Sequence, residues 1–194
     1  RQAAGREGQS YEDLFAEIEA VPPGAGGLLF LPYLAGERAP IWDPSARGAF
    51  IGLTLGHGSA EMLRAVAESV AFAIRDVVEV MEESGLPVRD LRITGRPSRS
   101  RAWNQLKADI TGRRILVPAT RDPDLAGDVC LALHALGRHA TVSEAAEATV
   151  RIGDRFEPDP ATRGMYDAMF WAYRQSYVGL KAVFPTLSAA RSQQ

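Results

Sequence analysis

Cysteine is nearly absent from this chain: Cys130 is the single one in 194 residues. No internal disulfide framework is therefore available. Cys130 sits in the apolar run Val129-Cys130-Leu131-Ala132-Leu133, where a buried structural thiol is expected rather than an activated nucleophile. The histidines His57, His134 and His139 lack the company of a metal site; Cys130 and His134 stand four apart on an expected helix with no third partner. Charge of one sign is missing too. The formal net charge is −2, and the arginines are scattered rather than gathered into a stripe, which argues against a nucleic-acid partner. No apolar run approaches the roughly 18 residues of a membrane span, and no signal peptide opens the chain. A soluble, cytoplasmic protein with no membrane partner is the expectation. There is no P-loop, no Ser/His/Asp arrangement and no internal repeat. The chain starts at Arg1, without an initiator methionine, and enters an amphipathic segment almost at once. A fragment of a longer protein is expected.

What is present suits a packed domain of ordinary size, with 46% apolar residues. Ser10 is placed to cap a short helix whose apolar face is Leu14, Phe15 and Ile18. A Pro/Gly-rich turn, Val21 to Gly27, leads to an apolar run, Leu28 to Leu31, that reads as a buried strand. The stretch Pro32 to Ser59 is long and irregular until a strand expected over Ala49 to Leu53. Loops of that length are usually functional or wrap a neighbour. Its Glu37, Arg38, Asp43 and Arg47 are either a site or, the favoured alternative, an ion-pair lattice that holds the loop down. Ser59 is placed to cap a helix over Ala60 to Ser84, in which Met62, Leu63, Val66, Val70, Ala73, Ile74, Val77, Val78 and Met81 recur every three or four positions and predict one broad buried face. Glu68 and Arg75 fall near that face and are expected as partly buried, paired charges. Further on, the pattern predicts a strand over Ile115 to Val117 stopped by Pro118, with Asp124 as a cap for a helix over Leu125 to Leu136. A short helix follows over Ser143 to Val150. The last helix runs to about Phe184 and turns Met165, Met169, Phe170, Tyr173, Tyr177 and Leu180 inward until Pro185 stops it; residues 188–194 are expected to fray. Strands alternate with helices, so the class is α/β with an at least partly parallel sheet.

The most informative stretch is Arg92 to Gly112. A short strand, Leu91 to Thr94, feeds Gly95 and then a helix that starts at Ser98 or Ser100, either serine able to cap it. Trp103, Leu106 and Ile110 recur at helical spacing, and Gly112 stands where a C-terminal glycine cap belongs. A strand, a glycine turn and a helix start point backbone donors and a helix dipole at whatever lies above, which suits an anion. A lone glycine turn is a weak motif, and on these residues alone an ordinary βα turn is favoured.

Three blocks taken together resemble the C-terminal domain of the FGGY carbohydrate kinases, over about Tyr11 to Phe184. The first, Leu28 to His57, looks most like the xylulokinase branch. The second is similar to the family's C-terminal pattern: Gly48-Ala49-Phe50-Ile51-Gly52-Leu53, seven residues, Glu61-Met62, two more, then Ala65-Val66-Ala67-Glu68, departing at Ala67. The third joins Thr94 to Gly112 with Pro118 to Ala132. The resemblance implies an actin-like ATPase (ribonuclease H-like) lobe: a mixed sheet with flanking helices, incomplete at its N-terminal end, spanning residues 1–187. It implies a kinase of two lobes that uses ATP with Mg²⁺ to phosphorylate a sugar, xylulose or a related ketose or polyol. The sugar would be bound mainly by an N-terminal lobe, which would also supply the catalytic aspartate, so no catalytic residue is assigned here. By position, Gly56 matches a nucleotide-contacting glycine and Ala60 a neighbouring contact. Gly95, Arg96 and Ser100 match the adenosine-side loop, with Gly127 in the helix behind it. Two departures stand out. Arg96 and Pro97 follow Gly95 where the family usually has further glycines, and Ala126-Gly127-Asp128-Val129 replaces a common Leu-Gly-Ala-Ala, with Ala119 in place of a usual glutamate. Arg96 either blocks the pocket or swings out to contact phosphate. The alternatives to a kinase lobe are a degenerate nucleotide-binding or regulatory module and an assembly role, a homodimer included, for the aromatic last helix and the long loop.

Overall fold

A computed structural model describes residues 11–120 and 122–191, with the side chains of Tyr11, Glu12, Arg96 and Arg191 outside that description. The expected cap Ser10 also lies outside the described residues.

The helix α1 (Tyr11–Ala20) leads through the glycine-rich turn to β1 (Leu29–Leu31), all three residues of which are buried. After the long loop, β2 (Ala49–Ile51) pairs antiparallel with it, Leu29 opposite Ile51 and Leu31 opposite Ala49. The strand stops short of the expected Leu53 because Gly52 takes φ +87°, and a Cβ there would meet the Gly27 carbonyl oxygen at 2.7 Å. The long helix α2 (Ser59–Glu83) follows. Its cap is Gly58 rather than Ser59: the Gly58 N–H donates to the Glu61 carboxylate at 2.8 Å. The acid in the first turn thus takes the N–H of the cap residue itself, the half of a capping box that needs no serine.

The second sheet holds β3 (Asp90–Arg92), β4 (Arg114–Pro118) and β5 (Ile152–Phe156) in that order, β3 and β4 parallel, β4 and β5 antiparallel. Between β3 and β4 runs α3 (Arg101–Thr111), ended by Gly112 at φ +63° as its position predicts. Pro118 does not stop β4 but is its last residue, and the register slips between Val117 and Pro118. Helices α4 (Pro123–Ala135) and α5 (Val142–Thr149) pack on each other before the chain returns as β5. The cap of α4 is Asp122, whose carboxylate accepts from Leu125 N–H at 3.0 Å, not Asp124. β5 was not expected: its Gly153, Asp154 and Arg155 are exposed and mask any apolar alternation.

The last helix is two. α6 (Arg163–Leu180) ends before Lys181, and α7 (Phe184–Arg191) begins at Phe184 with Pro185 in its first turn, where a missing N–H costs nothing. Residues 188–191, expected to fray, belong to that helix, and Ser188 Oγ donates to the Ser45 carbonyl at 3.2 Å. The aromatic stripe of α6 is core: Tyr166, Phe170, Tyr173 and Tyr177 pack with Phe72, Ile110 and Tyr33. The hydroxyls of Tyr33 and Tyr173 are hydrogen-bonded at 2.9 Å, and Tyr177 donates to Asp43 at 2.9 Å.

Among the described residues no ion pair joins Glu37, Arg38, Asp43 and Arg47, so the expected lattice is not what the structure shows there. Asp43 Oδ1 accepts from the N–H groups of Ser45 and Ala46, Glu37 Oε1 from those of Arg38 and Ala39, and Arg47 donates to the carbonyls of Pro44 and Ala46. Carboxylates spaced one to three residues from free backbone N–H groups bond to them before they reach a distant guanidinium. Charges on α2, by contrast, are buried and paired as expected. Arg64 Nε donates to Glu68 at 2.8 Å; its other nitrogens donate to the carbonyls of Ile18 and Val21 and to the Tyr166 hydroxyl. Arg75 reaches Glu79 and Asp167.

Two predictions follow from these buried charges. Removing one partner strands the other in the core. Arg64→Ala is expected to destabilise the fold by about 3–5 kcal/mol, read as a lower urea midpoint, whereas Arg101→Ala, at the exposed Arg101–Asp154 pair, moves it by about 1 kcal/mol or less. The second concerns Lys107, which is buried on α3 with its ammonium 4.8 Å from the Trp103 ring centroid. Burial pushes its pKa down to about 8 from 10.5. Between those values the unfolded chain binds more protons than the folded one, so stability rises with pH across that window. Lys107→Met is therefore expected to raise the melting temperature at pH 7, with the gain shrinking as pH climbs from about 8 towards 10.5. A gain independent of pH would mean that the ammonium is not the cause.

Candidate functional site

The parallel strands β3 and β4 carry their C-terminal ends to the same side, and their outgoing loops bound the candidate site. Ile93 extends β3 by donating to the Leu116 carbonyl at 3.0 Å. Gly95 then takes φ +81° and ψ −178°, a conformation open essentially to glycine alone. A Cβ at Gly95 would find only Pro97 Cδ, at 3.8 Å, so the demand for glycine is conformational rather than steric. A 3-10 turn over Arg96–Arg99 follows, and Ser98 closes it by donating its hydroxyl to the Gly95 carbonyl at 2.7 Å. Of the two serines expected as caps, Ser100 is the cap: its hydroxyl accepts from Trp103 N–H at 3.2 Å.

Two hollows flank this loop. The smaller, about 420 Å³, opens between the Gly95 turn and the end of β4, lined by Thr94, Gly95, Arg99, Asn104, Pro118 and Thr120 among others. The exposed Asp154 of β5 and Arg101 of α3 form its rim and pair at 2.9 Å, with the guanidinium 5.1 Å from the Phe156 ring centroid. The larger, about 1110 Å³, lies between α1, α2, α3 and β3, with Phe15, Val70, Ile74 and Trp103 as apolar walls and Lys107 as a cation set among them.

Of the expected site residues, Gly95 lines the smaller hollow and Ser100 the larger, one on each side of the same loop. Arg96 lies between them in the 3-10 turn; its side chain is outside the described residues. Gly56 and Ala60 sit elsewhere, at the entry to α2. Gly56 is exposed in a turn where its N–H donates to Thr54 Oγ1 at 3.3 Å, and His57 ties the turn to the Gly26 carbonyl at 3.2 Å. Gly127 is exposed on α4 with nothing within 4 Å of where a Cβ would stand. The structure thus joins Gly95, Arg96 and Ser100 in one loop and leaves Gly56, Ala60 and Gly127 on other elements. Asn104, Arg99 and Asp154 line the groove and were not picked out from sequence. Asn104 stands four residues after Ser100, so the helix register would have found it; Arg99 precedes the helix in the 3-10 turn, and Asp154 depended on the unforeseen β5. Among the described residues no group of three His, Cys, Asp or Glu side chains is placed to hold a metal ion, and no helix is long and apolar enough to cross a membrane.

The arrangement is a polar groove at the ends of parallel strands, with a glycine turn that lets a ligand approach the backbone and a capped helix start beside it. That is where open α/β sheets take ligands. The family model for the C-terminal domain of the FGGY family of carbohydrate kinases matches residues 1–136. The xylulose kinase of Staphylococcus epidermidis is 33% identical over 171 residues, which are 88% of this chain and 34% of that protein. The crystal structure of ligand-bound xylulose kinase from Lactobacillus acidophilus superposes with a TM-score of 0.85 at 31% identity, covering 92% of this chain and 36% of that one. The gluconate kinase of Lactobacillus acidophilus gives a TM-score of 0.88 at 30% identity, covering 96% and 38%. The chain therefore spans about a third of the length of these relatives. The mixed sheet and flanking helices are those of the sugar kinases' actin-like fold, and the chain belongs to the FGGY family of carbohydrate kinases.

Proposed function

We propose that this chain is the nucleotide-side lobe of an ATP-dependent sugar kinase, the whole enzyme transferring the γ-phosphoryl group of ATP to a hydroxyl of xylulose or a related ketose or polyol. The observation that carries this reading is the Gly95 turn, whose positive φ opens the backbone at the end of β3 to a ligand, in a chain that the FGGY C-terminal model matches over residues 1–136. The kinship with xylulose kinases supports the choice of a pentulose. In this reading Gly95, Arg96 and Ser100 lie on the adenosine side, Gly56 is a further nucleotide contact with Ala60 beside it, and Gly127 is on the helix behind. The groove residues fit a nucleoside: apolar Ile93, Val117 and Pro118 offer flat walls, while Arg99 and Arg101 stand at a rim where anionic groups would pass. No residue of this chain is assigned to Mg²⁺, which supplies charge neutralisation for the transferring phosphoryl group and would arrive on the nucleotide. The sugar site and the carboxylate that takes the hydroxyl proton are assigned outside these residues. What this lobe contributes is position: it holds the donor so that a bimolecular transfer becomes an oriented one.

Calorimetric titration of Mg-ADP into the chain, beside Arg96→Gly, tests the reading. Saturable binding by the parent is expected. Binding by the variant alone would mean that Arg96 closes the pocket, which favours a non-catalytic module; silence from both contradicts nucleotide binding by this lobe. The purified chain is also expected to form no sugar phosphate from ATP and xylulose. Stoichiometric product would contradict the assignment of the base to residues outside it.

A further inference from the structure

Lys107 carries a charge that no neighbouring acid neutralises. The residue is 6% exposed on α3 and lines the larger hollow. Its ammonium makes no hydrogen bond or ion pair among the described residues; what it meets is the face of Trp103, with the ring centroid 4.8 Å away. Glu19 of α1 lines the same hollow but forms no ion pair with it, and burial alone holds the Lys107 pKa down at about 8. The ammonium is nevertheless open to the hollow. Nζ is not among the sealed polar atoms that lack a partner. It stands over Trp103, which lies one turn earlier on the same face of α3 and is itself a wall of the hollow. A cation in apolar surroundings without a partner is destabilising, which is why Lys107→Met is expected to raise the melting temperature. A charge held against the stability of the free chain, in a cavity, points to a ligand.

We propose that the larger hollow binds an aliphatic monocarboxylate, its head group paired with Lys107 Nζ and its chain laid along Phe15, Val70 and Ile74. The inference does not rest on the nucleotide reading of the smaller groove. The hollow has a volume of about 1110 Å³, which leaves room for an extended hydrocarbon chain. Its helical walls are apolar around one cation, and a single negative charge on an apolar body complements them. A carboxylate would supply Lys107 with the charge-assisted hydrogen bond it lacks; a neutral lipid would leave the ammonium as it stands. Arg92 of β3 and Arg99 of the 3-10 turn line the same hollow and make its field favourable to an anion. Ile93, Thr94, Arg99 and Arg101 line both hollows, so the carboxylate would sit across the Gly95 loop from the groove.

The test is a pair of calorimetric titrations on the intact chain at neutral pH, octanoate against octanol, repeated on Lys107→Met with its melting curve as a fold control. The two probes share one hydrocarbon chain and differ in the charge of the head group. The parent is expected to bind octanoate about tenfold more tightly than octanol, the scale of one hydrogen bond to a charged group. Lys107→Met is expected to lose that preference while still binding octanol. Equal affinities of the parent for the two probes, or no binding of octanoate, would overturn the proposal. A preference for octanoate that survives in Lys107→Met would assign the anion to the arginines and overturn it too. Should the variant not fold, amide shifts of the parent decide: octanoate is expected to move Ala16, Trp103 and Lys107 saturably, and their silence would overturn the site. None of these outcomes bears on Mg-ADP, so the nucleotide reading stands or falls separately.

Discussion

One guanidinium, that of Arg64, fixes where the parts of this lobe stand. From the second turn of α2 it donates to the carbonyls of Ile18 and Val21 at the end of α1, to Glu68 one turn along its own helix, and to the Tyr166 hydroxyl on α6. Glu68 in turn accepts from the Gly24 N–H and from Tyr166. A planar fork with several fixed donors can satisfy that many acceptors at once, which an ammonium on a flexible stem cannot. Segments as distant in sequence as Ile18 and Tyr166 are locked to α2 by a charge that has no escape to water. The aromatic core of Phe72, Phe170 and Tyr173 is then packed beside it. The desolvation of these charges is unfavourable taken alone; what they gain is one arrangement of α1, α2 and α6 rather than several.

That arrangement positions the groove. α3 packs on α2, and Arg75 of α2 donates to the Ile110 carbonyl near the C-terminal end of α3. With α3 seated, its capped start and the Gly95 turn stand at the end of β3, and β5 brings Asp154 to the rim of the same groove. The loop itself is rigidified from below by Ser98 and Asn104. A turn held in a conformation that only glycine adopts, and braced by two side chains, presents its backbone to a ligand without having to order first. Under the proposed function this is the service that phosphoryl transfer asks for, more than reactive side chains, because little covalent chemistry falls to the protein.

Much of the frame was legible in the sequence. Local rules with one physical cause succeeded: a serine, Ser98 or Ser100, as a cap, Gly112 as a helix end, the existence of α2, and the long run of residues resembling the FGGY C-terminal domain. The apolar period of α2 did not mark its buried face: of its apolar residues from Met62 to Met81 that set the period only Val78 is buried, Val66, Val70 and Met81 are exposed, and the face turned inward carries Ala67, Ala71 and Phe72 with the paired charges Arg64, Glu68 and Arg75. Failures came where a neighbour decided. Gly58 with Glu61 caps α2 because the carboxylate reaches back, not because a serine is near. Pro185 starts a helix rather than ending one, since a proline reads the same at both places until the turn before it is known. β5 was invisible because three exposed residues in the strand hide its period, and with it went Asp154. Asn104 passed unnoticed because an asparagine in a helix is ordinary; only burial together with the fixed partner Ser98 shows that Oδ1 lacks a partner. Glu37 and Asp43 were read as members of an ion-pair lattice, whereas nearby backbone N–H groups claimed their carboxylates first.

The central claim is that the loop from Thr94 to Asn104, at the ends of β3 and β4, is where the nucleotide binds. Amide chemical-shift mapping of the chain during titration with Mg-ADP addresses it directly. The account predicts shifts that saturate together and cluster at Gly95, Ser98, Ser100 and Asn104, extending to Ala119 and Thr120 across the groove, while the buried amides of Tyr173 and Tyr177 on α6 stay still. Saturable shifts confined to another surface, or none at the Gly95 turn, would contradict it.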